Sequence, residues 1–262
     1  MSQLRFLYEQ KIDFQDFVRN HQFVYRCIPQ NEPRQEVTDL HVEVSPCDYQ
    51  AFGRDGFGNR TIYGRMSEEH REFSIRIFGL VKTDWTQYDR DDSRNPLFTV
   101  QTSMTNPGSS MKAYLEKCRF PLQKESRDYH KAYEIMDRIY ERFTYEKGIT
   151  GIDTTAEQAF ALRMGVCQDY AHVMIGMCRY FGIPARYVSG AIIGEGFSHA
   201  WVEIFSDGKW YGFDPTNHLL VDDYYIAFAR GRDSSDCVIN KGNYLGRSKE
   251  IQEIKVYVEE IK

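Results

Sequence analysis

The chain has 262 residues, of which 42% are hydrophobic and 15% aromatic, with 33 basic and 38 acidic side chains, a formal net charge of −5 and a pI near 5.8. That length and apolar content suffice for one large or two modest domains around a real core, and the acidic balance gives no electrostatic footprint for nucleic acid. No run approaches 18 apolar residues, and the charged start Met1-Ser2-Gln3-Leu4-Arg5 has no apolar signal core, so neither membrane spanning nor secretion is expected.

Residues 1–85 read as an all-β unit. The segments Phe6 to Val18, Gln22 to Ile28, Glu36 to Val44, Arg60 to Met66 and Glu72 to Val81 are rich in β-branched and aromatic residues. Turn formers at Pro29 to Pro33, Ser45-Pro46 and Gly53 to Asn59 separate most of them, and this spacing predicts a small β-sandwich. Residues 86–125 read as a loop-rich connector that includes Asp89 to Pro96, with some helix at Ser110 to Lys117. A second unit, 126–262, opens with Ser126 to Tyr145, where Tyr129, Ala132, Tyr133, Met136, Ile139, Tyr140 and Phe143 recur at helical steps and predict a core-facing helix. Thr154-Thr155-Ala156-Glu157-Gln158 is a capping signature for a short helix through Met164.

The run from Cys167 to Phe181 is apolar at helical spacing, closed by Gly182 and Pro184, and preceded by the break at Gly165. Cys167 therefore falls in the first turn of a helix, where free N–H groups and the positive dipole end favour an anion such as a thiolate. Ala185 to Ile193 reads as a strand, and Gly194 to Ser198 as a flexible, glycine-rich lead into His199. Next, His199 to Phe205 and Lys209 to Asp214 are strand-like runs joined by Asp207-Gly208, a hairpin signal. With those two as turn residues, Phe205 pairs with Trp210 and Glu203 with Gly212, which brings His199 and Asp214 together on one face. A cysteine, a histidine base and a carboxylate that orients it make up a nucleophilic constellation.

The stretches GVCQDYAHVMIGMCRYFGIPARYVSG and SHAWVEIFSDGKWYGFDPTN resemble the transglutaminase-like core of bacterial proteins, related to papain-type cysteine hydrolases. The resemblance implies an α+β fold with a β domain ahead of a papain-like core, and a catalytic Cys167, His199 and Asp214. Asp55 to Asn59 followed by His70, and the segment into Gly231-Arg232-Asp233, are similar to further parts of that family. Gln168, Asp169 and Trp201 flank the reacting groups as supporting or oxyanion residues, beside the backbone N–H of Cys167. The expected chemistry is acyl transfer from an amide of a protein or peptide substrate through a thioester, ending in hydrolysis or in transfer to an amine. No cofactor and no metal is expected, since the close ligand pairs of a zinc site are missing from the sequence.

Other readings compete residue by residue. A lone cysteine on an apolar helix is usually core; Cys178, roughly 16 Å below Cys167 by helix rise, fits that description. His172 points about 140° round the helix from Cys167 and is a poor base for it. His218 reads as a loop residue, and Trp201 and Trp210 either wall a cleft or pack in the core. Six scattered cysteines and a nucleophile that must stay reduced point to the cytoplasm. A silent binding module that keeps the fold is the alternative from another class.

Overall fold

Strand β1 (Ser2–Tyr25) shapes the first half of the molecule. Its buried side chains are Leu4, Phe6, Tyr8, Gln10, Ile12, Phe14 and Val18, and further along His21, Phe23 and Tyr25. The inward set thus passes from even to odd positions, which in a period-two strand requires an extra residue. That irregularity lies between Arg19 and Gln22, with Asn20 at φ 50°. The alternation breaks there in the sequence too, which is why two strands were expected; the chain instead bends and continues as one.

The computed structural model describes residues 1–87, 96–117 and 127–261. Much of the expected connector, residues 88–95 and 118–126, lies outside the described residues. The first part of β1 pairs with β5 (His70–Thr83) and β15 (Glu250–Glu260), the second with β4 (Arg60–Met66) and β14 (Asn240–Leu245). Outside these lie β2 (Gln35–Ser45) on β5, β3 (Tyr49–Arg54) on β4, and β9 (Gly194–Gly196) on β15. The expected sandwich is therefore one antiparallel sheet, curled around a core that includes Phe6, Tyr8, Phe23, Phe73 and Ile77. Strands β9, β14 and β15 come from the stretch that the sequence assigns to the second unit, so the sheet is shared along the chain.

The second half places four helices on one face of a second sheet. The helices are α1 (Ser109–Lys117), α2 (Asp128–Tyr140), α3 (Ala156–Leu162) and α4 (Cys167–Tyr180); the short parallel pair β6 (Thr144–Tyr145) and β7 (Met164–Gly165) precedes α4. The sheet runs β12 (Leu219–Leu220), β11 (Lys209–Asp214), β10 (His199–Ser206), β8 (Ala185–Ile192), β13 (Tyr225–Gly231). Helix α2 buries Ala132, Ile135, Met136 and Ile139 but leaves Tyr133 and Tyr140, expected in the core, on its exposed side. Helix α3 opens with the reciprocal Thr155–Gln158 capping box.

Both β8 and β13 are buried almost throughout because both faces are covered. On one side, Ala200, Val202, Ile204, Phe213 and Tyr187 pack against α2 and α4. On the other, Ala191, Ile226 and Phe228 join the core of the curled sheet. The layers are helices, second sheet and curled sheet.

A buried ion cluster joins the two sheets. Glu203 of β10 is fully buried and meets Arg186 at 2.6 Å, Arg230 at 2.9 Å and Arg34 at 3.1 Å. Arg34 sits between β1 and β2 and also donates to the carbonyl of Trp210. Arg230 grips Glu32 with two bonds of 2.8 Å, and Asn59 brackets the Arg230 backbone. Burial opposes the Glu203 charge, but Arg230, Arg186 and Arg34 outweigh it and hold the carboxyl well below its usual range. Burial lowers Arg34, whereas Arg230, with two carboxylates against its own desolvation, is raised.

Glu203→Gln keeps the shape but strands buried guanidiniums without their charge partner. It should cost about 3–5 kcal/mol in urea unfolding, and a loss below about 1 kcal/mol would contradict this role for the cluster.

Candidate active site

Helix α4 begins where its sequence forces a turn. Gly165 lies at φ 156°, and a Cβ there would come within 2.4 Å of Asp169 Oδ2. That oxygen accepts from the Val166 N–H at 2.8 Å and the Thr150 hydroxyl at 2.7 Å, closing the helix start and tying down the loop before α3. Asp169 is buried, its Oδ1 finds no partner, and burial pushes its carboxyl up despite those two bonds. Cys167 is the first helical residue and is half-buried. The first-turn N–H groups of Cys167 and Gln168 have no intrahelical acceptor. Gln168 turns its amide to the Ile152 carbonyl at 3.3 Å, so its side chain braces the 146–154 loop.

The β10–β11 hairpin delivers the other two groups. Its turn is Asp207-Gly208, both at positive φ (50° and 74°), and Phe205 faces Trp210 and Glu203 faces Gly212 as the spacing predicts. His199 Nε2 lies 2.7 Å from Asp214 Oδ2. Cys167 lies near enough to the same imidazole to raise it, and with Nε2 taken by Asp214, Nδ1 is the ring nitrogen left for the thiol. The structure therefore brings Cys167, His199 and Asp214 into one chain of contacts.

Asp214 is fully buried and accepts from further donors besides His199. Oδ1 takes the N–H groups of Thr216 (3.0 Å) and Asn217 (3.2 Å); Oδ2 takes Asn217 Nδ2 (2.7 Å) and the Tyr225 hydroxyl (2.9 Å). Burial would raise this carboxyl, but His199, Asn217 and Tyr225 overcome it and lower it. Burial likewise would lower His199, yet Asp214 and Cys167 outweigh it and push the imidazole up to about 10. The pair is held ionised.

Sequence reasoning missed Asn217 and Tyr225. The run Asp214-Pro215-Thr216-Asn217 carries a local sign of Asn217, since an aspartate before such a turn accepts from the N–H groups that follow. Tyr225 arrives from β13, across β8 and β10, and leaves no local trace. Trp201 is fully buried, stacks near His199 (centroids 6.4 Å apart, 27° between planes) and meets Tyr225 edge-on. It needs Gly190 opposite, where a Cβ would lie 2.5 Å from the indole. Trp201 and Trp210 are thus core and not cleft walls.

The remaining candidates lie elsewhere. His172 is buried, accepts the Ser234 N–H at 3.2 Å, and is lowered to about 4 by burial. His218 lies in the loop and stacks on Tyr140. Burial pushes the thiols of Cys27, Cys178 and Cys237 well up, and that of Cys47 up. The lead into His199 is β9, pinned to β15 through Gly194, Glu195 and Gly196, where the sequence suggested a flexible loop.

Comparison with known proteins gives the family. Residues 117–215 match the transglutaminase-like superfamily, and residues 4–82 the bacterial transglutaminase-like N-terminal region. An uncharacterised Mycobacterium tuberculosis protein is 31% identical over 247 residues, covering 79% of this chain and 76% of that protein. The chain belongs to the bacterial transglutaminase-like family. A crystal structure of a candidate cysteine protease from Cytophaga hutchinsonii superposes with a TM-score of 0.81 at 21% identity, over 100% of this chain and 91% of the other. A protein-glutamine gamma-glutamyltransferase of Pseudomonas aeruginosa is 32% identical over 87 residues, 28% of this chain and 13% of that protein. This transglutaminase-like protein is thus a member of a cysteine-enzyme family with that family's fold.

The raised imidazole has a consequence for stability. A group whose folded value exceeds its unfolded value of 6.5 contributes fully below that pH and loses its contribution as pH rises through about 10. The stability gap between the natural protein and His199→Gln should therefore be flat below pH 6 and shrink between pH 7 and 10 in thermal melts. A gap constant to pH 10 would contradict the ionised pair.

Proposed function

We propose that this transglutaminase-like protein cleaves an amide of a protein or peptide substrate through a thioester on Cys167. The observation that carries this is the single imidazole hydrogen-bonded to the buried Asp214 carboxylate and raised by the Cys167 side chain beside it. With the imidazole held protonated by Asp214, the thiol proton already rests on His199, and Cys167 Sγ bonds to the carbonyl carbon as the thiolate of that ion pair. The developing oxyanion meets the N–H groups at the α4 N-terminus, that of Cys167 first. Imidazolium then donates its proton to the leaving nitrogen, the C–N bond breaks, and the thioester remains. Asp214 holds the ring and stabilises its charge until that transfer. Asp169 acts on the helix start and not on the reacting atoms. Such a thiol functions only while reduced, which suits a cytoplasmic setting.

Water completes the cycle by default. A primary amine at millimolar level faces water at roughly 55 M and must gain on the order of 10⁴-fold from nucleophilicity, positioning and water exclusion. The aromatic residues that would wall an amine site, Trp201 and Trp210, are spent in the core. Phe197 beside His199 is 63% exposed. These features favour hydrolysis over cross-linking.

The glutamine side-chain amide is the first donor to test, because the Pseudomonas aeruginosa relative acts on protein glutamine by its name. A glutamine-containing peptide with a labelled primary amine should yield ammonia without incorporated label, both followed by mass spectrometry. Label incorporated at the rate of ammonia release would overturn the hydrolase reading. Neither ammonia nor label, with no peptide-bond cleavage, would mark a silent binding module.

A further inference from the structure

A cavity lies away from Cys167, on the outer face of the curled sheet. It has a volume of about 720 Å³ and is lined by residues of β1, β3, β4 and β14. Strand register places its side chains in two rows. One row runs Tyr49, Arg65, Gln22, Asn243; the next runs Ala51, Tyr63, Val24, Lys241. Tyr49 is 52% and Tyr63 43% exposed, and Arg65 and Lys241 are exposed as well.

The charges in these rows are unbalanced. Neither row contains a carboxylate, and among the described residues neither Arg65 nor Lys241 makes an ion pair. Asp48, next to Tyr49, turns its carboxylate to the Ser67 N–H at 2.7 Å. Elsewhere on this sheet Arg5 is matched with Glu259, Arg76 with Glu9 and Glu43, Lys82 with Glu36 and Lys255 with Glu195, while Lys11 and Arg19, like Arg65 and Lys241, make no ion pair among the described residues. The chain as a whole carries a net charge of −5. A long polyanion would be repelled by the whole molecule, whereas a short acidic segment meets the two local cations, with the Asp48 carboxylate near Arg65 turned to Ser67.

Spacing narrows the partner further. Arg65 and Lys241 are two strands and one residue pair apart, a diagonal of about 12 Å. In an extended peptide, side chains four residues apart are separated by about 13 Å. Tyr63 and Tyr49 offer ring faces beside that diagonal for an apolar or aromatic side chain.

We propose that this strip binds an extended acidic segment of a polypeptide, with two carboxylates four residues apart gripped by Arg65 and Lys241 and a neighbouring apolar side chain laid on Tyr63. The surface is independent of the Cys167 chemistry and adds a recognition site to the N-terminal sheet.

Fluorescence anisotropy with a labelled decapeptide of the pattern Glu-x-x-x-Glu flanked by phenylalanine tests it, against the same peptide with both glutamates replaced by glutamine. Two exposed charge pairs should make the acidic peptide bind on the order of tenfold tighter, an advantage that fades in high salt. Arg65→Gln combined with Lys241→Gln should abolish that advantage at unchanged melting temperature, Arg65→Lys should retain it, and Tyr63→Ala should weaken both peptides. Equal binding of the two peptides by the natural protein, full affinity in the double variant, or binding of an acidic oligosaccharide but not the peptide would each overturn the proposal.

Discussion

Strand β10 carries two ionised groups in a place that burial alone would forbid. His199 and Glu203 lie four residues apart on one face with Trp201 between them, and each keeps its charge only because partners from distant parts of the chain close around it. At one end these are Arg186, Arg230 and Arg34; at the other, Asp214 with Asn217 and Tyr225 behind it. Removing water from such groups costs several kcal/mol per ion, so the strand's position is stable only when every partner is in place. The imidazole's orientation toward α4 is in this sense set by the whole assembly.

This gives the curled sheet a part in shaping the site. Arg34 and Glu32 reach the Glu203–Arg230 cluster from the turn after β1, and Gln35 brackets the β13 backbone through Ala227. β9, the approach to His199, is hydrogen-bonded to β15 of the same sheet. The N-terminal sheet thus braces the second sheet from behind and anchors the approach to His199 from the side. Its outer face carries the strip of Tyr63, Arg65 and Lys241.

What was legible in the sequence was local. Gly165 and the Gly182–Pro184 stop bound α4 and put Cys167 at its start; Asp207-Gly208 set the hairpin register; Thr155 and Gln158 announced a capping box that forms. Each depends on residues within a turn of one another. The bend in β1 was misread as a gap because a bulge and a loop break alternation alike. Edge strand β3 and the β9–β15 pairing were missed because backbone pairing leaves little trace in short, glycine-containing segments. Tyr225 behind Asp214 and the arginines around Glu203 could not be read, since partners brought together by sheet order share no spacing rule.

The central claim is that the helix start and the hairpin combine to make Cys167 a nucleophile. Limited alkylation with iodoacetamide at pH 6, followed by peptide mapping, tests it most directly. Cys167 should be labelled first among the six cysteines, and His199→Gln should slow that labelling on the order of tenfold or more while the fold persists. Earlier labelling of Cys27, Cys47 or Cys118 in the folded protein, or an unchanged Cys167 rate in His199→Gln, would contradict it.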